Sequence, residues 1–229
     1  MTSIESVARD YAGWRPARSV DCLGGPRPFR RLLGIEAWER LPSATRLRFE
    51  RRIEAGVCVA YVGEVVECRM SRSGWLLAQL ARLIGGPLPL SRGEGMPACV
   101  TVTEDRAGGG QFWTRQYGRP NDFPQVIHSV KRFAGPTGIE EYLGFGFGIA
   151  LRLAESDGAL LFRSDHFFVQ LFGFRLRLPR WLSPGELTIG HIDCGDGRFA
   201  FTLDLLHRRA GELVHQIALF ADAHEGGVR

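Results

Sequence analysis

Trp113, Arg115 and Tyr117 alternate along one short stretch, so in an extended chain their side chains project from one face. A guanidinium between two aromatic rings offers charge, planar hydrogen bonding and stacking surface to an anionic or planar ligand. The same triplet also suits a structural ion pair with aromatic neighbours in a core. A buried arginine then requires a carboxylate, because an unpaired buried charge is costly. Glu141 is the first candidate for that partner and Glu64 the second.

The histidines are His128, His166, His191, His207, His215 and His224, and none has the spacing of a metal pair within one element. His166 shares a strand face with Phe162 and Phe168, a setting for either a histidine of shifted pKa or an ordinary core histidine bonded to backbone. Asp165 and His166 are adjacent, which on a regular strand turns them to opposite faces and prevents an acid–base pair. His191 and Asp193 share a face, so either can orient the other. No serine lies in G-x-S-x-G and no cysteine carries a nucleophile signature. Any catalysis is therefore expected to be cofactor-independent proton transfer, an isomerisation or cyclisation, with His128, His166 and Glu141 as acid–base groups. Trp113, Arg115, Tyr117 and His191 are the candidate ligand-binding residues. Neither a metal nor a cofactor is expected.

Alternation and turn residues define the elements that must hold these groups. Three short helices are expected over 29–33, 36–40 and 43–49, the last capped by Ser43. A long strand begins near Val57, and a helix over 75–84 opens at Ser73 and closes at Gly85-Gly86-Pro87. That helix is apolar almost all round, so it needs a cover. Strands follow near 98–105, 111–118, 124–133, 139–154, 159–171, 173–178, 186–194, 198–206 and 212–221. Gly108-Gly109-Gly110, Asp157-Gly158, Pro184-Gly185 and Asp196-Gly197 punctuate them. In the stretch from Glu141 to Gly148, glycines fall on one face, which marks curvature or close approach by another group such as the 75–84 helix. Successive strands without a β-α-β rhythm predict an antiparallel sheet. The expected fold is α+β: a large curved antiparallel β-sheet, half-barrel or barrel, with short N-terminal helices and one apolar covering helix. Residues 1–26 read as an irregular lead-in, 27–222 as a single β-rich domain and 223–229 as a flexible tail.

The chain has 229 residues, 45% hydrophobic and 24% charged, a globular balance with room for a sizeable core. Its net charge of +4 is spread over dispersed arginines, and Lys131 is its one lysine. Nucleic-acid binding, which favours a dense basic stripe, is not expected. The five cysteines are odd in number and lack C-x-x-C spacing, so neither disulfides nor zinc are expected. No apolar run is long enough to span a bilayer and the first residues do not read as a signal peptide, so the expected setting is the cytoplasm, without membrane insertion.

Motif order adds a resemblance. Phe29-Arg30-Arg31-Leu32-Leu33-Gly34 precedes Leu41-Pro42, the Trp75 helix and Trp113-Thr114-Arg115-Gln116-Tyr117-Gly118. Glu141-Tyr142-Leu143-Gly144, then Leu178-Pro179-Arg180-Trp181-Leu182-Ser183-Pro184, then Gly197-Arg198-Phe199-Ala200-Phe201 follow. Over roughly 28–220 this resembles the bacterial family called domain of unknown function 4166. The resemblance implies that members occur alone or behind NAD(P)-binding oxidoreductase domains. It brings no established catalytic set. The chain lacks the glycine-rich dinucleotide fingerprint. It also departs from the family pattern after the Leu-Pro helix, where a histidine is often found, and after Pro184, where His191 stands near a usual acid. Three functions remain open: binding of a hydrophobic or amphipathic small molecule in a β-sheet cavity, an isomerase or cyclase using that cavity, and a non-catalytic partner of an oxidoreductase.

Overall fold

Asp157-Gly158 and Asp196-Gly197 both take left-handed backbone angles, with φ 52° and 79° in one pair and 53° and 73° in the other. Two consecutive positive φ values build the tight turn whose twist matches paired strands, and Asp-Gly adopts it at little cost. Such turns convert runs of alternating residues into a meander. The structure, a computed structural model, describes residues 28–51, 53, 57–172 and 174–223. The expected lead-in over 1–26 and residues 224–229 of the expected tail lie outside the described residues.

Helices α1 (Pro28–Leu33), α2 (Ile35–Arg40) and α3 (Ser43–Glu50) precede β1 (Cys58–Met70), α4 (Arg72–Ala81) and a 3₁₀ turn, Arg82–Ile84. Then come β2 (Met96–Asp105), β3 (Gly110–Arg119), β4 (Asp122–Arg132), β5 (Ile139–Gly144), β6 (Phe147–Ser156) and β7 (Ala159–Leu171). β8 (Phe174–Arg177), β9 (Glu186–Gly195), β10 (Arg198–His207) and β11 (Gly211–Asp222) complete the chain. All pairings are antiparallel. β11 returns to β1, and β7 pairs with both β6 and β9, so ten strands form a closed barrel. β8 lies outside the ring, on the β7 edge beyond β9. The expected curved antiparallel sheet is thus a closed barrel, and the fold is mostly β with a few short helices, so the α+β class overweights the helices.

Strand direction sorts every connection to one of two ends. The β2–β3, β4–β5, β6–β7 and β9–β10 turns share the lower end, where α1–α3 pack. Phe29 of α1 meets Phe49, Phe133 and Phe162 edge-on at 5.2, 5.0 and 6.2 Å. Arg40 Nε donates to Glu155 Oε2 at 2.5 Å. Ser43 is the first residue of α3, preceded by Pro42, and makes no capping hydrogen bond.

The upper end collects the β3–β4, β5–β6, β7–β8 and β10–β11 turns and α4. Ser71, not Ser73, caps α4: its hydroxyl accepts from the Gly74 N–H at 3.1 Å. Gly74 lies on β11 so closely that a Cβ would overlap the Leu213 carbonyl. Ala78 and Ala81 continue this buried stripe, while Trp75, Leu76 and Leu80 are exposed. The helix is thus packed along a stripe of small residues and is not enclosed all round. Beyond it, Gln125 of β4 fixes the chain at 86–90: its amide oxygen accepts from Leu90 N–H at 2.9 Å and its amide nitrogen donates to Leu88 O at 2.8 Å.

The strand expected over 139–154 is a hairpin. Phe145 and Gly146, at φ 47° and 79°, turn the chain between β5 and β6. Gly144 sits against the carbonyl of Ile84, and the space a Gly148 side chain would fill is occupied by the Phe168 ring.

Gly74→Ala tests the contact that seats α4. The added methyl has no room without moving the helix off β11, so unfolding free energy should fall by about 1–3 kcal/mol. A urea titration with an unchanged slope would read it.

Candidate functional site

Inside a closed barrel every second residue faces the lumen. On β3 these are Trp113, Arg115 and Tyr117, and on β4 Gln125, Ile127, Ser129 and Lys131. Cross-strand register then assembles a charged cluster. Lys131 lies directly opposite Glu141 of β5, and its Nζ is 3.0 Å from Glu141 Oε2. Arg115 is opposite Ile127, which brings its guanidinium to the next inward residue: Nη1 donates to Ser129 Oγ at 3.0 Å. Nη2 of Arg115 donates to Glu141 Oε1 at 3.3 Å, and Ser129 Oγ donates to the same oxygen at 2.6 Å. The Arg115–Glu141 pairing expected from the sequence is present.

The cluster borders a cavity of about 360 Å³. Phe49 and Phe162 line its lower part, and Leu77, Leu80, Ala81, Ile84 and Leu88 its upper part. Trp113, Tyr117, Ile149, Phe167, Ile189 and Gln216 also border it. Among its lining residues the charged ones are two cations, Arg115 and Lys131, and one carboxylate, Glu141. The Trp113 indole N–H is buried without a hydrogen-bond partner among the described residues. The Lys131 ammonium also lies 4.8 Å from the Trp113 ring centroid.

Burial and charge work against each other here. Burial alone raises the Glu141 carboxyl, but Lys131 and Arg115 beside it, with the Ser129 hydroxyl, pull it down to about 2. For Lys131, burial pushes the amine down more than Glu141 pulls it back, which leaves it at about 8, still protonated at neutral pH. Burial likewise raises the Tyr117 phenol.

The structure brings Trp113, Arg115, Tyr117 and Glu141 to this cavity and leaves the three named histidines outside its lining. His128 is exposed on the outer face of β4, with Thr114 of β3 at 3.5 Å. Its strand was readable in the opposite phase because the outward side, Val126, His128 and Val130, is more apolar than the inward one. His166 is also on the outside, and its Nδ1 is 2.7 Å from Asp165 Oδ2. That bond corrects the expectation of opposite faces. A bulge between Ser164 and His166 opposes Ala150–Leu151 with one residue too many, and Asp165 is the extra residue. His191 is inside but below the cavity, fully buried, stacked on Phe199 at 4.9 Å and edge-on to Phe49 at 5.1 Å. Arg48 Nη1 donates to its Nε2 at 3.2 Å. His191 and Asp193 do not hydrogen-bond, and a carboxylate oxygen of Asp193 is buried unpartnered. Lys131 and Ser129 were not anticipated, although Lys131 is the one lysine of the chain. Among the described residues no group of histidine, cysteine and acidic side chains forms a metal site, and no helix is long and apolar enough to cross a membrane.

The protein is thus an up-and-down β-barrel, helix-packed at one end, with a charged triad on the wall of its lumen. The chain belongs to the family described as domain of unknown function (DUF4166), whose model matches residues 41–220. The match begins after α2, so α1 and α2 fall outside it. No curated protein matches the chain. Among solved structures, a putative thioesterase II from Thermobifida fusca YX is similar at 12% identity, over 78% of this chain and 84% of that one, with a TM-score of 0.18. So low a score supports no inference.

Two outcomes follow from these charges. Glu141→Gln leaves the buried Lys131 and the half-buried Arg115 without their carboxylate and should cost about 3–5 kcal/mol of stability, measured by urea unfolding. For His191, burial first, then Arg48, lower the folded pKa from 6.5 to about 3. Between those values the unfolded chain holds a proton that the folded chain does not. Stability therefore falls as pH drops through this window, by about 2 kcal/mol at pH ~5. Thermal unfolding from pH ~7 to ~5 should show this slope, and His191→Phe should flatten it.

Proposed function

We propose that the barrel binds an amphipathic small molecule with an anionic head, its apolar body in the lumen and its head at Arg115 and Lys131. One observation carries this reading: an otherwise apolar cavity holds two cations against one carboxylate. The surplus positive charge sits where water is scarce, and an anionic ligand neutralises it at close range. The free indole N–H of Trp113 adds a donor. A volume of about 360 Å³ is within the range of small-molecule sites. In this reading α4 and the loop that Gln125 anchors cover the upper opening. The isomerase or cyclase alternative loses its acid–base histidines, since His128 and His166 face outwards and Glu141 is held by its two cations. The oxidoreductase-partner reading makes no use of the cavity or of its two cations, so the ligand site is preferred to it.

Native mass spectrometry followed by denaturing extraction reveals what the barrel retains. The chemical test compares lauric and palmitic acid with the corresponding alcohols by calorimetry. The acids should bind more tightly, and Arg115→Met should weaken them about tenfold or more while leaving the alcohols nearly unchanged. Equal affinity for acid and alcohol, or no uptake of either, sinks the reading.

A further inference from the structure

The two ends of the barrel differ in what their tight turns display. At the lower end Asp157-Gly158 and Asp196-Gly197 provide the left-handed residues. At the upper end Asn121 serves in the β3–β4 turn at φ 60°, but in the β5–β6 and β7–β8 turns the same backbone is adopted by Phe145 before Gly146 and by Phe172, at φ 47° and 50°. A bulky residue is disfavoured there, and Asn or Asp serves at lower cost. Both rings nevertheless point into solvent: Phe145 is 76% exposed and Phe172 97%. The turns are neighbours, since the Gln170 N–H donates to Gly146 O at 2.8 Å.

They belong to a wider apolar rim. Phe174, Leu176 and Trp181 are exposed at 73%, 62% and 79%. Leu80 and Leu182 are exposed as well, and both also line the cavity, so rim and lumen are continuous. Gly85 and Gly144 bring the end of α4 against the β5–β6 hairpin. Within the three segments that carry these apolar residues the charges have one sign, and among the upper-end acids Asp122 and Glu186 open β4 and β9. Residues 72–89, 143–147 and 171–184 contain Arg72, Arg82, Arg175, Arg177 and Arg180 and no aspartate or glutamate. Arg175 is committed to Glu140, whereas Arg177 and Arg180 are exposed.

We propose that this rim docks on an anionic lipid bilayer, with Phe145, Phe172 and Trp181 entering the headgroup layer and Arg177 and Arg180 facing lipid phosphates. Aromatic side chains favour that layer, and arginines add attraction to an anionic leaflet. The barrel touches the surface with turns and does not span it. Docking puts the cavity mouth against the phase in which an amphipathic ligand dissolves, so the inference rests on the ligand-binding reading above and names the ligand's source.

The test is flotation of the full chain with vesicles of phosphatidylcholine alone and of phosphatidylcholine with phosphatidylglycerol. Binding is expected to the mixed vesicles, much weaker to the neutral ones, and to fall with salt. Arg177→Gln/Arg180→Gln should reduce partitioning about thirtyfold. Phe172→Ser/Trp181→Ser should abolish it. Each variant is checked for an unchanged melting midpoint and unchanged palmitate affinity in vesicle-free solution. Failure to float, equal binding to both vesicle types, or floating by the variants as strongly as the parent would overturn the proposal. So would a stable dimer that buries the rim and ignores vesicles. Palmitate uptake without flotation removes docking alone, whereas flotation without palmitate uptake removes the ligand reading and keeps the docking surface.

Discussion

Pairing of β11 with β1 closes the ring, and that closure decides which side chains share a lumen. An open sheet leaves two edges of unpaired amides and carbonyls and two faces to be covered separately. The closed ring gives every barrel strand a neighbour on each side, though β4 meets β5 only over Val130–Arg132, and turns one face inward on itself. Val65, Val100, Phe199, Ala218 and Phe220, drawn from strands far apart in the chain, become one apolar cluster for this reason. Ten strands also make a lumen wider than their own side chains fill. The lower part is taken up by aromatic rings around His191 and Phe199, with Arg48 of α3 placed 3.9 Å over the Phe199 ring. The upper part stays hollow.

The same closure explains how three charges persist in the lumen. Lys131 and Glu141 are register partners, so forming the β4–β5 ladder makes their ion pair with little further ordering. Ser129 and Arg115 complete the coordination of one carboxylate oxygen. Such a cluster seldom adds stability over an apolar replacement of equal volume. Its positive surplus is what the proposed anionic ligand would neutralise. The cluster constrains chemistry as well: a carboxylate lowered to about 2 by two cations is a poor base, and an amine paired at 3.0 Å is not free to attack.

Much of the fold was legible in the sequence because turn chemistry is local. Asp-Gly pairs, the glycine run at 108–110 and the Gly85-Gly86-Pro87 stop all mark true connections, and alternation placed most strands to within a few residues. Trp113, Arg115 and Tyr117 read correctly as one face. Errors arose where the decisive contact was distant. Gly144 and Gly146 look like a curved strand until Ile84 and Gln170 are seen against them. On β4 the polar face is the inner one, because Gln125 holds the loop at 86–90 and Ser129 and Lys131 serve Glu141. The apolar pattern therefore does not mark the inner face of that strand, and His128 lies on the outer one. Asp165 and His166 came together through a bulge that one strand's sequence cannot announce.

Turn residues also separate what the fold needs from what it merely tolerates. Asp157 and Asp196 relieve a backbone demand, and Asp or Asn at 145 and 172 would meet the same demand at lower cost than phenylalanine. A phenylalanine in that conformation adds strain and leaves a large apolar ring in water, so neither folding nor solubility accounts for it. The helices α1–α3 cover the lower end, so apolar residues there find partners: Phe29, Trp38 and Phe49 are all buried. At the upper end the β5–β6 and β7–β8 turns expose large apolar side chains, residues 143–147 and 171–184 hold no acid, and Leu80 and Leu182 run from that surface into the lumen. The barrel is packed shut below, while above an apolar, arginine-bearing rim runs into the cavity, and the proposed ligand exchange and docking both rest on that asymmetry.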